Sequence, residues 1–123
     1  MSIAEIFVAV SLQFHLPAGL LSSLCWVESR HNINAVHVDD NGSDSLGICQ
    51  IKLDTAKDIG FKGTAKQLMS PETNIYYAAK YLARQRTRYH SIKKAVIAYN
   101  QGHAGQLTTT KYQRKVFARW KNY

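Results

Sequence analysis

Apolar residues recur at helical spacing along most of the chain, and a single segment breaks the rhythm. Ile3, Ile6, Phe7, Val10 and Phe14 fall on one face of a first helix over about 3–15. Pro17 suits the first turn of a second helix, which carries Leu21, Leu24, Cys25 and Glu28 at i, i+3, i+4 and i+7. A short helix is predicted near 54–59, ended by Gly60. Ser70-Pro71-Glu72 opens another, with Ile75, Ala78, Ala79 and Leu82 on one face. Ser91 caps the next, with Ile92, Ala95, Val96 and Tyr99 inside, and Asn100-Gln101-Gly102 ends it. A last basic helix over about 111–121 points Tyr112, Val116 and Trp120 inward. The break lies between the second and third helices. There Ala35–Val38 and Leu46–Ile51 flank Asn41-Gly42, a pair that accepts positive φ and marks a hairpin. The fold class is therefore mainly α (α+β), with one small antiparallel hairpin. With no repeat, linker or low-complexity stretch, residues 1–123 read as a single domain.

Bulk properties narrow the class further. The 123 residues, 46% hydrophobic, suffice for one core and exclude a disordered chain. No apolar run reaches the ~20 residues of a membrane span. Met1–Glu5 lacks the basic start of a signal peptide, so delivery by another route, or a leader outside this sequence, is expected. The formal net charge is +8, and no Asp or Glu follows Glu72, whereas eleven Lys and Arg do. Such a face attracts polyanions, whether nucleic acid or an anionic envelope polymer, or is simply a solvated surface. The two cysteines, Cys25 and Cys49, fit neither a zinc ribbon nor a redox CxxC pair. Both lie in apolar segments. Two reduced core thiols are expected in preference to a single disulfide. The five histidines show no metal-ligand spacing and no phosphate loop occurs, so neither metal nor cofactor is expected.

Glu28 is the informative anomaly, a carboxyl on an apolar helix stripe just after Cys25, Trp26 and Val27. Desolvation disfavours the ionised form and raises the pKa. A carboxylic acid kept protonated near neutrality can protonate a glycosidic oxygen, the step that glycoside cleavage needs on the leaving-group side. A buried Glu paired with Arg30 or another base is the plainer alternative.

The residues around it form an ordered series: Glu28-Ser29, then Asn32-x-Asn34-Ala35, Gly47-Ile48-Cys49-Gln50-Ile51, Asn74-Ile75, and Ala98-Tyr99-Asn100-Gln101-Gly102. These motifs in this order resemble the soluble-type lytic transglycosylases, closest to the short members of conjugation, pilus and secretion systems and of phages. The resemblance covers about 17–105. It implies a lysozyme-like fold with the hairpin beside a substrate cleft, and peptidoglycan glycan strands as substrate. It also implies Glu28 as the single catalytic acid and later base. Gly47–Gln50 corresponds to the family's Gly-Leu-Met-Gln segment, which gives Gln50 a sugar contact. Ala98–Gly102 matches Ala-Tyr-Asn-x-Gly, which puts the Tyr99 hydroxyl near the catalytic carboxyl and has Asn100 shape the site. Ser29 and Ser45 join the expected substrate contacts. Cys49 for Met and His37 for a serine are departures.

The stretch Asn41–Ile48 also resembles the hairpin of animal-type lysozymes, whose second catalytic aspartate stands two residues before the glycine. Here that place is Ser45, and Asp44 lies one earlier. Neighbouring strand side chains point to opposite faces, so this offset aims Asp44 away from the cleft unless a bulge intervenes. The expected product is therefore a 1,6-anhydromuramyl end, formed by cleaving the MurNAc–GlcNAc β-1,4 bond. Asp39, Asp40 and Asp44 keep a hydrolysing muramidase open. A basic module that binds glycan or polyanion without cutting is the non-enzymatic alternative, as is a structural part of a phage or secretion assembly. A monomer acting on the periplasmic cell wall is expected, with nucleic acid not the partner.

Overall fold

The computed structural model describes residues 1–39 and 42–123. Among these, the element order is α1 (Ile3–Gln13), α2 (Leu20–Ser29), β1 (Val36–His37), β2 (Ser45–Leu46), β3 (Ile51–Lys52), α3 (Leu53–Asp58), α4 (Ala65–Leu68), α5 (Pro71–Tyr89), α6 (Ile92–Gln101) and α7 (Lys111–Lys121). The fold is the mainly helical, lysozyme-like one, with a small antiparallel sheet.

Local chemistry starts and stops these helices. Ser2 and Glu5 form a reciprocal capping box on α1, as Thr64 and Gln67 do on α4. The Ser91 and Thr110 hydroxyls accept from backbone amides three residues on, satisfying orphan donors of α6 and α7. Gly102, at φ 86, ends α6 with its amide donating to the Ala98 carbonyl. Pro71 stands in the first turn of α5, as expected, although the Ser70 side chain makes no cap bond. Pro17 is not in α2. It precedes a turn, and the helix starts at Leu20 behind Gly19, at φ 81. Helix α4 was not anticipated, because its four residues are too few for a periodic pattern to register.

The long α5 is the spine. Its Ile75, Ala78, Ala79 and Leu82 are fully buried against α1 and α6, while α7 closes over α2. A second cluster of Leu46, Ile51, Ala56, Phe61 and Leu68 lies under the sheet and α3.

The sheet departs from a simple hairpin. It has three strands in the order β1-β2-β3, with Val36 opposite Leu46 and Leu46 opposite Ile51. The expected strand over 46–51 is split by a turn at Gly47–Gln50, entered with Gly47 at φ 77 and left with Gln50 at φ 53. Asp40 and Asn41, on which the Asn-Gly turn and one candidate carboxylate rested, lie outside the described residues.

The expectation of two reduced cysteines is overturned. Cys25 and Cys49 form a disulfide with an S–S distance of 2.04 Å. Both residues are fully buried, as small core hydrophobes would be. Sequence gave no measure of their separation in space, which packing of the turn against α2 brings to 4.4 Å between Cα atoms.

Candidate active site

Glu28 stands in the last turn of α2, and the chain reverses directly after it. Arg30 and His31 both take the left-handed conformation, at φ 56 and φ 60. The reversal lets the Asn32 amide donate to Ser29 Oγ at 3.1 Å. It also brings His31 back to Ser22, its Nε2 lying 2.8 Å from the Ser22 carbonyl oxygen. The end of the helix that carries the carboxyl is thereby fixed from behind.

In front of it lies a cleft of about 450 Å³. Glu28 forms one wall with Tyr99, Asn100, Gln101 and Gly102 from the end of α6. Ser45, Gln50, Ile51 and Lys52 from the sheet, with Thr55 of α3 and Tyr81 of α5, form the rest. The cleft thus brings together Glu28, Ser45, Gln50, Tyr99 and Asn100 of the residues singled out from sequence.

Burial raises the Glu28 pKa to about 7, against a partly offsetting hydrogen bond from Tyr112. That bond runs from the Tyr112 hydroxyl to Glu28 Oε2 at 2.7 Å. Among the described residues no Lys, Arg or His nitrogen lies within 4.0 Å of Glu28, so pairing with Arg30 does not occur. Burial, with the Glu28 charge next, pushes the Tyr112 hydroxyl well above its usual pKa, which keeps it a proton donor. The Tyr99 hydroxyl was expected near the carboxyl, and burial, with the Glu28 charge second, pushes its pKa well above the usual value. It donates to the Cys49 carbonyl at 2.7 Å, and its packing against Tyr81 leaves it 7% exposed. Tyr112 was read as core. An inward tyrosine needs a hydrogen-bond partner, and that need was the one available signal.

The turn facing Glu28 is held by side chains from several elements. Ser29 Oγ donates to the Ile48 carbonyl at 2.6 Å, and Tyr99 to that of Cys49. Fully buried Asn74 of α5 accepts from the Cys49 amide at 2.9 Å. Its Nδ2 donates to the Leu46 and Leu68 carbonyls, each at 2.9 Å. A Cβ on Gly47 would come within 2.4 Å of Asn74 Nδ2, so only glycine fits there. The disulfide adds a covalent tie to α2. Asn74 had been noted only as part of a motif, and here it is the anchor of the turn.

Ser29 and Asp44 both fall outside the cleft. Ser29 does not line the cleft: its hydroxyl is committed to Ile48 and Asn32. Asp44 does not line it either, and its Oδ1 accepts from the Asp39 amide at 3.1 Å inside the hairpin. This is what the one-residue offset from Ser45 implies. Gln50 uses Nε2 on the Ala35 and Gly47 carbonyls, at 3.1 and 2.9 Å, so Oε1 is the atom left for a ligand. Among the described residues no three His, Cys, Asp or Glu side chains form a group that could hold a metal, and no helix is long and apolar enough to cross a membrane.

A helix-borne carboxyl with its pKa raised to about 7 thus faces a small sheet across an open cleft on a lysozyme-like fold. The chain belongs to the transglycosylase SLT domain family, whose model matches residues 5–122. Protein IpgF of Shigella flexneri is 34% identical over 92 residues, 73% of this chain and 60% of that protein. Protein IpgF of Shigella sonnei matches to the same extent. X polypeptide of Escherichia coli is 27% identical over 101 residues, 80% of this chain and 60% of that protein. The chain therefore spans about 60% of the length of these curated relatives.

Proposed function

We propose that this domain cleaves the β-1,4 bond between MurNAc and GlcNAc in peptidoglycan and leaves a 1,6-anhydromuramyl end. The carrying observation is a lone carboxyl. Glu28, held at about pKa 7, is the only Asp or Glu among the described residues that line the cleft. Protonated Glu28 gives its proton to the leaving oxygen as the bond to the anomeric carbon breaks. The oxocarbenium-like centre is assisted by the substrate's own N-acetyl group. The Glu28 carboxylate then takes the proton of the muramyl 6-hydroxyl, whose oxygen bonds the anomeric carbon. Water is not consumed, and Glu28 ends protonated as it began. A hydrolase of the two-carboxylate kind would need a second carboxylate to activate water or to trap the sugar. Asp44 is the nearest candidate by sequence, and it is engaged in the hairpin. The eleven cations after Glu72 would hold the enzyme to anionic polymer at the envelope.

Mass spectrometry of digested sacculi tests the reading. Anhydro ends, lighter by one water than reducing ends, are expected, and Glu28→Gln should abolish them. Reducing ends alone would establish a hydrolase. No release by the wild type would remove the enzymatic reading.

A further inference from the structure

A groove of about 710 Å³ opens from the cleft, sharing Thr55 and Tyr81 with it. It runs between α3, which contributes Asp58, and the outer half of α5, which contributes Arg84, Gln85 and Arg88. Three features set it apart from an ordinary basic surface. Arg84 makes no hydrogen bond, ion pair or ring contact with any described residue, so its guanidinium is uncommitted. Arg88 donates to the carbonyl of Gly102, a cleft residue, at 3.3 Å, which ties groove and cleft into one wall. Gln85 is only 5% exposed, yet its Oε1 has no donor among the described residues. Such an acceptor carries a desolvation cost until something donates to it. The broad terminal torsion of an amide lets that oxygen turn toward the groove.

Guanidiniums, one carboxylate and an orphan carbonyl acceptor together fit a ligand with carboxylates, an ammonium group and peptide N–H donors. A glycan strand without stems offers lactyl carboxylates and acetamide N–H donors but no ammonium group to match Asp58, whereas the stem peptide carried by muramyl residues offers all three. The geometry points to this groove as a stem-peptide site, with Arg84 pairing a stem carboxylate, Asp58 facing the stem amine and Gln85 accepting a peptide N–H. This rests on peptidoglycan being the substrate. Strands bearing stems are then the preferred substrate, and strands stripped by an amidase are poorer ones.

The test compares kcat/KM on stem-bearing and amidase-stripped strands for the wild type, Arg84→Gln and the control Lys66→Gln. Lys66 is exposed on α4, away from cleft and groove. The wild type and the control should favour stem-bearing strands by about tenfold or more, the worth of one charge-assisted hydrogen bond, and Arg84→Gln should bring the ratio toward one. A wild-type ratio near one, or a ratio unchanged in Arg84→Gln, would overturn the stem site while leaving the cleavage reading standing. An equal loss on both substrates would assign the groove to glycan and also overturn it. Cleavage of neither strand by the wild type would sink the cleavage reading, and this site with it.

Discussion

The hydroxyl of Tyr112 sits 2.7 Å from Glu28 Oε2, joining residues 84 positions apart on α7 and α2. Its proton favours the carboxylate, while burial favours the neutral acid, and burial prevails to leave the group near pKa 7. On the proposed function, Tyr112 is a positioning residue that both aims the acid and limits its basicity.

Activity should follow the protonated fraction of Glu28. Above about pH 7, log kcat/KM on stem-bearing strands should fall with a slope near −1. Tyr112→Phe removes the contribution that lowers the pKa, so this limb should move to higher pH even as the rate drops from looser aim. A pH–rate profile of both forms checks it. An unmoved limb would mean that the bond does not tune the acid.

The same shift bears on stability. Glu28 has a folded pKa raised from 4.5 to about 7, so between these values the folded state binds more protons than the unfolded one. Its contribution is then present at low pH and is lost as pH rises through the folded pKa, on the order of 3 kcal/mol in all. Glu28→Gln carries no charge and can still accept from Tyr112. It should gain stability over the wild type at pH 8 and little at pH 4, as read by denaturant midpoints.

Asn74→Ala would leave the Cys49 amide and the Leu46 and Leu68 carbonyls without their partner in a dry interior. A loss of about 3 kcal/mol is expected, together with a fall in kcat/KM as the Gln50 turn loosens. Gly47→Ala should act in the same direction, since its Cβ would strike the Asn74 amide and φ 77 disfavours any side chain. Thermal unfolding and the strand-cleavage assay measure both effects.

The disulfide closes a loop with a sequence separation of 24. Removing it by the paired change Cys25→Ala and Cys49→Ala should cost about 3 kcal/mol through the freed unfolded chain. Denaturant titration of that variant, and of the wild type with and without reductant, reads it. Equal midpoints in all of them would show that packing alone holds the turn.

Much of this architecture was legible in the residues. The bounds of α7 match the sequence reading, and α5 and α6 start at the Ser-Pro and Ser signals that mark them. Glu28 stood out because a carboxyl on an apolar stripe breaks a local rule, and such a breach needs no knowledge of the rest of the fold. The split of 46–51 into a turn was hidden for the opposite reason. Ile48 and Cys49 are buried and apolar, as strand residues would be, while the bonds that bend them come from Ser29, Asn74 and Tyr99.

Sequence by itself determined the helical periodicity, the Ser91 cap and the one misplaced acid, because each is set by residues a few positions apart. Tertiary structure alone decided that Cys25 meets Cys49, that Tyr112 and not Tyr99 touches the acid, and that Asn74 anchors the opposing turn. These are contacts between side chains from distant segments. Their partners are chosen by how the helices pack, which no local spacing encodes.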